Sequence, residues 1–230
     1  MMNIVAIILS RGNSKAIPKK NIRKFCGKPL LTWSIEQAQN TKNISSVWIS
    51  SDNEEILNIA KKENAEIIKR PKSLSTDKSS SESGWIHAIK EVEKKQKIDL
   101  VVALQATSPI RESKDLDKAI KKFKRVKADS MFSCSKLSDF FLWKKQNNRY
   151  TSLNYDYKRR KRRQEIKKQY LENGSFYLFK PEILKKCNNR LGGKIDMIEL
   201  EFWKSFEIDS LESLRLCEIL MKNYLLKKNY

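Results

Sequence analysis

Residues 10–21 read Ser10-Arg11-Gly12-Asn13-Ser14-Lys15-Ala16-Ile17-Pro18-Lys19-Lys20-Asn21. The cations Arg11, Lys15, Lys19 and Lys20 crowd around two turn formers, Gly12 and Asn13. Backbone N–H groups in such a turn, joined by guanidinium and ammonium groups, can cradle a triphosphate. The loop is not a Walker A sequence, which needs Gly-x-x-x-x-Gly-Lys-Ser/Thr, and no Gly-x-Gly-x-x-Gly fingerprint occurs in the chain. An ordinary basic loop is the competing reading of these residue types. Elsewhere the residues alone favour plain roles. Asp209-x-x-Glu212 fits a capping box at the start of the last helix. Arg70 before Pro71 fits a loop, and the single histidine, His87, falls inside a helical stretch and is read as structural. One histidine argues against a histidine-based triad or zinc site.

Candidates so far apart in sequence need a scaffold that gathers loops. The apolar run over residues 3–10, stopped by Arg11 and Gly12, predicts a buried strand, and Pro29 opens a predicted helix over 30–39. Strands follow over 47–50, 66–69, 100–105 and 130–135, with helices over 54–63, 83–94 and 114–126. This alternation predicts an α/β fold with a mainly parallel central sheet and helices on both faces. Functional loops in such sheets lie at the carboxyl ends of the strands, where residues 11–21, 70–81 and 105–111 fall. After Ser135 the rhythm breaks. Residues 136–170 are polar, aromatic and basic, with the run Lys158-Arg159-Arg160-Lys161-Arg162-Arg163. It returns with a strand over 174–179, the end of another at 207–209, and a helix over 210–228. That helix turns Leu211, Leu214, Cys217, Leu220, Tyr224 and Leu225 to the core. Residues 1–230 thus read as a single domain with 136–170 as an extension inserted in it.

Composition bounds the function. With 230 residues, 40% of them hydrophobic, the chain can bury a sizeable core and is not of a disordered type. The net charge of +21, from 48 Lys+Arg against 27 Asp+Glu, attracts polyanions. Phosphorylated or carboxylated small molecules and nucleic acid are the candidate partners, with much of the lysine on solvated faces. The basic run lacks interleaved stacking aromatics and no reader motif appears, so a nucleic-acid-binding module is the remote alternative. Cys26, Cys134, Cys187 and Cys217 stand at no metal-ligand spacing and suit reduced thiols in the cytoplasm. The apolar run from Ile4 to Leu9 is too short for a signal core, and no stretch is apolar enough to span a membrane. A cytoplasmic chain without a membrane partner is expected.

Taken together, the motifs resemble those of the acylneuraminate cytidylyltransferases. Residues 11–21 are similar to that family's N-terminal signature, roughly Arg-Gly-Gly-Ser-Lys-Gly-Ile-Pro-x-Lys-Asn. Similarity continues through residues 48–52, Arg70-Pro71-x-x-Leu74-Ser75-x-Asp77, Ser79-Ser80-Ser81 and His87-Ala88. It then takes in Gln105-Ala106-Thr107-Ser108-Pro109-Ile110-Arg111, Asn173-Gly174-Ser175-Phe176-Tyr177 and Glu207-Ile208-Asp209, covering nearly the whole chain in order.

The resemblance implies a nucleotidyltransferase (Rossmann-like) fold and transfer of CMP from CTP to the anomeric hydroxyl of an N-acylneuraminate or related nonulosonic acid. Legionaminate, pseudaminate and ketodeoxyoctulosonate are the alternative acceptors. It implies that Arg11 and Lys20 are catalytic triphosphate cations and that Asn21 contacts the nucleotide. It puts Arg70 and Ser81 near the cytosine and ribose, and Gln105 on the sugar. Arg163, ten residues before Asn173, is implied to meet the sugar carboxylate. Asp209, with Glu207 beside it, is implied to hold Mg2+. A homodimer is implied as well, with residues 136–170 as its dimerisation extension. The sequence departs from the family at Asn13 and Ala16, where glycines are usual, and at Ala106, where proline is common. Ala16 matters if its position requires a positive φ.

Overall fold

The computed structural model describes residues 2–137, 140–162 and 165–227. The chain begins with β1 (Ile4–Leu9), a small ribbon of β2 (Lys24–Phe25) and β3 (Lys28–Pro29), then α1 (Leu30–Gln39). It continues through β4 (Ser46–Ser51), α2 (Glu54–Lys62), β5 (Glu66–Lys69), α3 (Ser81–Glu93), β6 (Leu100–Leu104) and α4 (Ser113–Val126). After β7 (Ser130–Leu137) come a hairpin of β8 (Trp143–Gln146) and β9 (Arg149–Ser152), then β10 (Gln169–Phe179), α5 (Pro181–Cys187), β11 (Ile195–Leu200) and α6 (Leu211–Leu220).

Seven strands form the central sheet in the order β11-β7-β10-β6-β1-β4-β5. All neighbours are parallel except β10, which runs antiparallel to both β6 and β7. The period-two geometry of a strand explains the layering. Ile4, Ala6 and Ile8 of β1 join α1, α2 and α4 on one face, while Val5 and Ile7 join α3 and α5 on the other. A strand covered on both faces reads as a continuous apolar run, as Ile-Val-Ala-Ile-Ile-Leu does. Capping fixes where helices start. Asn53 accepts from the Ile56 N–H at α2, Ser80 from Ser83 at α3, and Ser210 from Ser213 at α6. A third apolar cluster lies beneath the loops rather than in the sheet. It joins Ile17, Phe25 and Leu30 to Ile110, Ile208, Leu214 and Cys217. This cluster ties the basic loop, the turn after β6 and the approach to α6 into one base.

Four expectations need correction. Residues 207–209 are not the end of a strand: the missing strand is β11, and the Ile208 N–H donates to the Thr107 carbonyl, at 2.8 Å, in the turn after β6. β11 lies at the sheet edge and is only partly buried, so its apolar pattern is weak. The strand expected over 174–179 begins earlier, at Gln169, and carries a register shift between Glu172 and Tyr177. The last helix is α-helical only to Leu220 and passes into a π-helical turn, Met221–Leu226. Leu211 is exposed and Tyr224 stacks on Trp203, whereas Leu214, Cys217 and Met221 are the buried contacts. Asp209 does not cap α6; Ser210 does.

Candidate active site

The basic loop leaves β1 with Ser10, whose N–H donates to the Ser50 carbonyl at 3.0 Å. It then folds against the end of β4. The Gly12 N–H donates to Asp52 Oδ1 at 3.0 Å, and a Cβ at Gly12 would lie 2.8 Å from the Asn53 Cβ, so only glycine fits this approach. The Asn21 amide donates to the Arg11 carbonyl at 3.1 Å and closes the loop from inside. Neither Asn13 nor Ala16 has a positive φ, so the two departures from glycine cost no backbone strain. The left-handed residue is Lys19, at φ 53°.

Lys20 turns inward. Its Nζ donates to the Ile208 carbonyl at 2.8 Å and to Asp209 Oδ1 at 2.9 Å, which joins the first loop to the segment before α6. Arg11 turns the other way, with Nη1 2.9 Å from Asp77 Oδ1 in the loop after β5. That loop starts at Arg70, a buried residue whose Nε donates to Ser75 Oγ at 2.8 Å. Burial holds the Arg70 guanidinium below its ordinary pKa, against the pull of Asp52, and Arg11 adds repulsion. The loop ends at Ser80 and Ser81, where α3 starts, and both residues line the cleft.

The turn after β6 is held from behind by Arg111, which is 1% exposed. Its Nη1 donates to the carbonyls of Gln105 (3.0 Å), Ser108 (2.6 Å) and Ser175 (3.0 Å), and its Nη2 to Ser34 Oγ (2.5 Å). This guanidinium is a scaffold for Gln105 and not a ligand-binding group. The bulge of β10 passes over the same place. Gly174 has φ +65°, and a Cβ there would meet Glu207 Oε1 at 2.9 Å. Glycine thus lets β10 approach the acidic segment. Asn173 beside it is buried, accepting from Ser133 Oγ at 2.6 Å and donating to Ser135 Oγ at 3.3 Å.

Glu207 and Asp209 lie two apart on an extended segment, and both line the cleft. Burial raises the Glu207 carboxyl above its ordinary range, the Asp209 charge raises it further, and Lys20 and a Thr107 hydrogen bond oppose them. A divalent cation would offset that repulsion. Among the described residues no group of three or more His, Cys, Asp or Glu could hold a metal. The donor set therefore fits a cation that keeps its waters, such as Mg2+, which is usually bound through one or two carboxylates and substrate phosphates.

One cavity of about 420 Å3 gathers these loops. Arg11, Lys20 and Asn21 line it from the first loop, Arg70 and Ser81 from the second, and Gln105, Glu207 and Asp209 from the far side. Arg163 lies outside the described residues. Asp77, Thr107 and Trp85 are among the lining residues that carried no role in the sequence reading. Asp77 lay inside a recognised motif, so its signal was present. Trp85 looked like any core aromatic, and it does pack on Tyr177 and Phe179 at 6.4 and 5.9 Å. His87 lies on α3 away from the cleft lining, as a structural residue would.

The family model described as Cytidylyltransferase matches residues 5–229. N-acylneuraminate cytidylyltransferase A of Danio rerio is 35% identical over 212 residues, 90% of this chain and 48% of that protein. The chain thus spans about half the length of this curated relative. Pseudaminic acid cytidylyltransferase of Campylobacter jejuni is 36% identical over 182 residues, 76% of this chain and 78% of that one. Among solved structures, a CMP:2-keto-3-deoxy-manno-octonic acid synthetase complexed with CTP superposes with a TM-score of 0.71 at 15% identity. It covers 96% of this chain and 98% of that one, a likeness of fold.

Proposed function

The chain belongs to the cytidylyltransferase family, and from that premise we propose that it transfers CMP from CTP to the anomeric hydroxyl of an N-acylneuraminate or a related nonulosonic acid, releasing pyrophosphate. The observation that carries this reading is the cleft itself. It collects a phosphate-type loop, a buried arginine beside a helix N-terminus, and two carboxylates at the carboxyl ends of parallel strands. Pseudaminate is the acceptor named in the Campylobacter jejuni relative and stands as the first alternative. Legionaminate and ketodeoxyoctulosonate complete the set. A nucleic-acid module gains no support from the concave, mixed-charge cleft.

In this reading Arg11 and Lys20 hold the triphosphate and meet the charge that builds up as pyrophosphate leaves. Asn21 fixes the loop around them. Arg70 and Ser81 face the cytosine and ribose, and Gln105 faces the sugar. Asp209 and Glu207 would hold Mg2+, whose contribution is to neutralise phosphate oxygens. One panel tests the activity: CTP, UTP, ATP and GTP, each with Mg2+ and each acid sugar, scored by pyrophosphate release. Release from CTP with one sugar far above the other nucleotides is expected. Equal rates from all four nucleotides contradict the reading.

The sugar carboxylate needs a cation, and Arg163 is the proposed one. Its partner in the test is Arg159, an exposed residue of the same basic run. Arg163→Lys keeps the charge but loses the two-pronged grip, so the KM for the sugar rises while the KM for CTP holds. Arg159→Lys changes neither. Equal kinetics for the two variants sink the assignment. The extension at 136–170 is proposed as the contact of a homodimer. Its β8–β9 hairpin stands outside the sheet, with Trp143 packed on Tyr155 and Tyr157 while still exposed. A cytoplasmic location is proposed on the four free thiols.

A further inference from the structure

The two loops that would grip opposite ends of a nucleotide are joined by a single carboxylate. Asp77, on the loop between β5 and α3, spends both oxygens on cations of the loop after β1. Oδ1 lies 2.9 Å from Arg11 Nη1, and Oδ2 lies 2.9 Å from Lys15 Nζ. No other acid pairs with two residues of that loop among the described ion pairs; Lys19 has Glu55 and Lys20 has Asp209. The bridge stands at the cleft mouth, where Arg11 and Asp77 are 39% and 47% exposed. It is not a buried structural pair.

We propose that Asp77 is the counter-ion that a triphosphate displaces, so that this carboxylate competes with phosphate for Arg11 and Lys15. The inference rests on the reading that the cleft binds a nucleoside triphosphate. A carboxylate with one oxygen on each of two cations occupies the place of a phosphate with two oxygens on the same cations. Both cannot sit there together. A carboxylate a few ångströms away repels every negative charge of the ligand, and a polyphosphate carries several. Exposed ion pairs contribute little, so the bridge yields readily to a more highly charged ligand. The Lys15 hydrogen bond, followed by the attraction of Lys15 and Arg11, keeps the Asp77 carboxyl below its ordinary range. It is therefore ionised and competing at neutral pH.

The loop around Asp77 is built to let go without losing its shape. Ser79 Oγ accepts from the Thr76 N–H at 3.1 Å and donates to the Ser73 carbonyl at 3.0 Å, so the turn closes on itself. Among the described hydrogen bonds and ion pairs, Asp77 and a long contact from Arg11 to the Thr76 carbonyl, 3.5 Å, tie it to the first loop. Arg70, at the other end, stays fixed to Ser75. Asp77 thus holds the phosphate cations in place before the ligand binds and costs affinity when it arrives.

This sets the sign of the test. Inorganic pyrophosphate is titrated by calorimetry, without divalent cation, into the wild type and into Asp77→Asn. The variant is expected to bind about three- to tenfold more tightly. The gap should narrow at high salt, because the competing pairs are exposed. Weaker or equal binding by the variant overturns the proposal and makes Asp77 a brace that preorders the loop. Absence of pyrophosphate binding by both proteins also overturns it. A chain that binds pyrophosphate but transfers CMP to none of the sugars loses the proposed activity, while the comparison still decides the role of Asp77.

Discussion

Asp209→Asn should lower kcat by at least roughly a hundredfold while leaving the fold in place, since a metal or charge acting at the phosphate supplies several kcal/mol. The structure makes this substitution cleaner than the sequence promised. Asp209 looked like a helix cap, and asparagine would have served that role equally well. Ser210 is the cap in fact, accepting from the Ser213 N–H at 3.0 Å. Asp209 is 71% exposed, and its one ion pair is with Lys20, which keeps the Ile208 carbonyl when the charge is gone. The expected stability loss is therefore within about 1 kcal/mol. Turnover should also respond to Mg2+, with a higher concentration needed to reach half-maximal rate in the variant. Circular dichroism melts establish that the fold survives, and pyrophosphate release gives the rate. Wild-type turnover by the variant would reduce Asp209 to a counter-ion for Lys20.

The sheet and its site loops were legible because burial on both faces writes continuous apolar runs. β1, β4, β5, β6 and β7 and the helices α1 to α4 all fall where the patterns put them. Strand-end geometry then placed the three loops without further information. What the sequence hid has physical causes. β11 is an edge strand with a diluted pattern, so the extended segment at 207–209 was taken for its end. The reach of β10 back to Gln169 was masked by Tyr170, Leu171 and Glu172, which are exposed where the strand leaves the helices' cover.

The site itself divided in the same way. Cations and carboxylates announced themselves by type, but their pairing in space did not. Nothing in the spacing joins Arg11 and Lys15 to Asp77, or Lys20 to the Ile208 carbonyl across 188 positions. Arg111 shows the limit most plainly. It stood in the Gln105–Arg111 motif with no role assigned, and the three carbonyls around its Nη1 reveal a buried brace.

Lys204→Met should cost about 3–5 kcal/mol of stability at neutral pH, the largest loss expected of a single substitution here. Lys204 is 1% exposed. Its Nζ lies 2.8 and 3.0 Å from the two oxygens of buried Asp115, 3.1 Å from Glu112 and 2.9 Å from Glu201. Burial alone would pull the ammonium down, but the hydrogen bonds it donates to Asp115, Glu201 and Glu112 hold its pKa above the ordinary lysine value. A raised cationic pKa means stability that is fully present below the unfolded value, about 10.5, and lost as pH climbs through the folded one. Methionine fills the space but leaves the buried Asp115 carboxylate without this cation, beside Glu201 and a Glu112 that still pairs with Lys114 at 2.9 Å. The difference between the proteins should therefore be greatest near pH 7. It should shrink as pH falls below about 5, where the carboxyls take up protons and tolerate burial. It should shrink again above about 10.5, where the wild type gives up its own advantage. Urea melts of both proteins at pH 4.5, at pH 7 and about one unit above 10.5 measure all three arms. A loss under about 1 kcal/mol at pH 7, or one that does not change with pH, means that the cluster is solvated and the three acids are not held by this lysine.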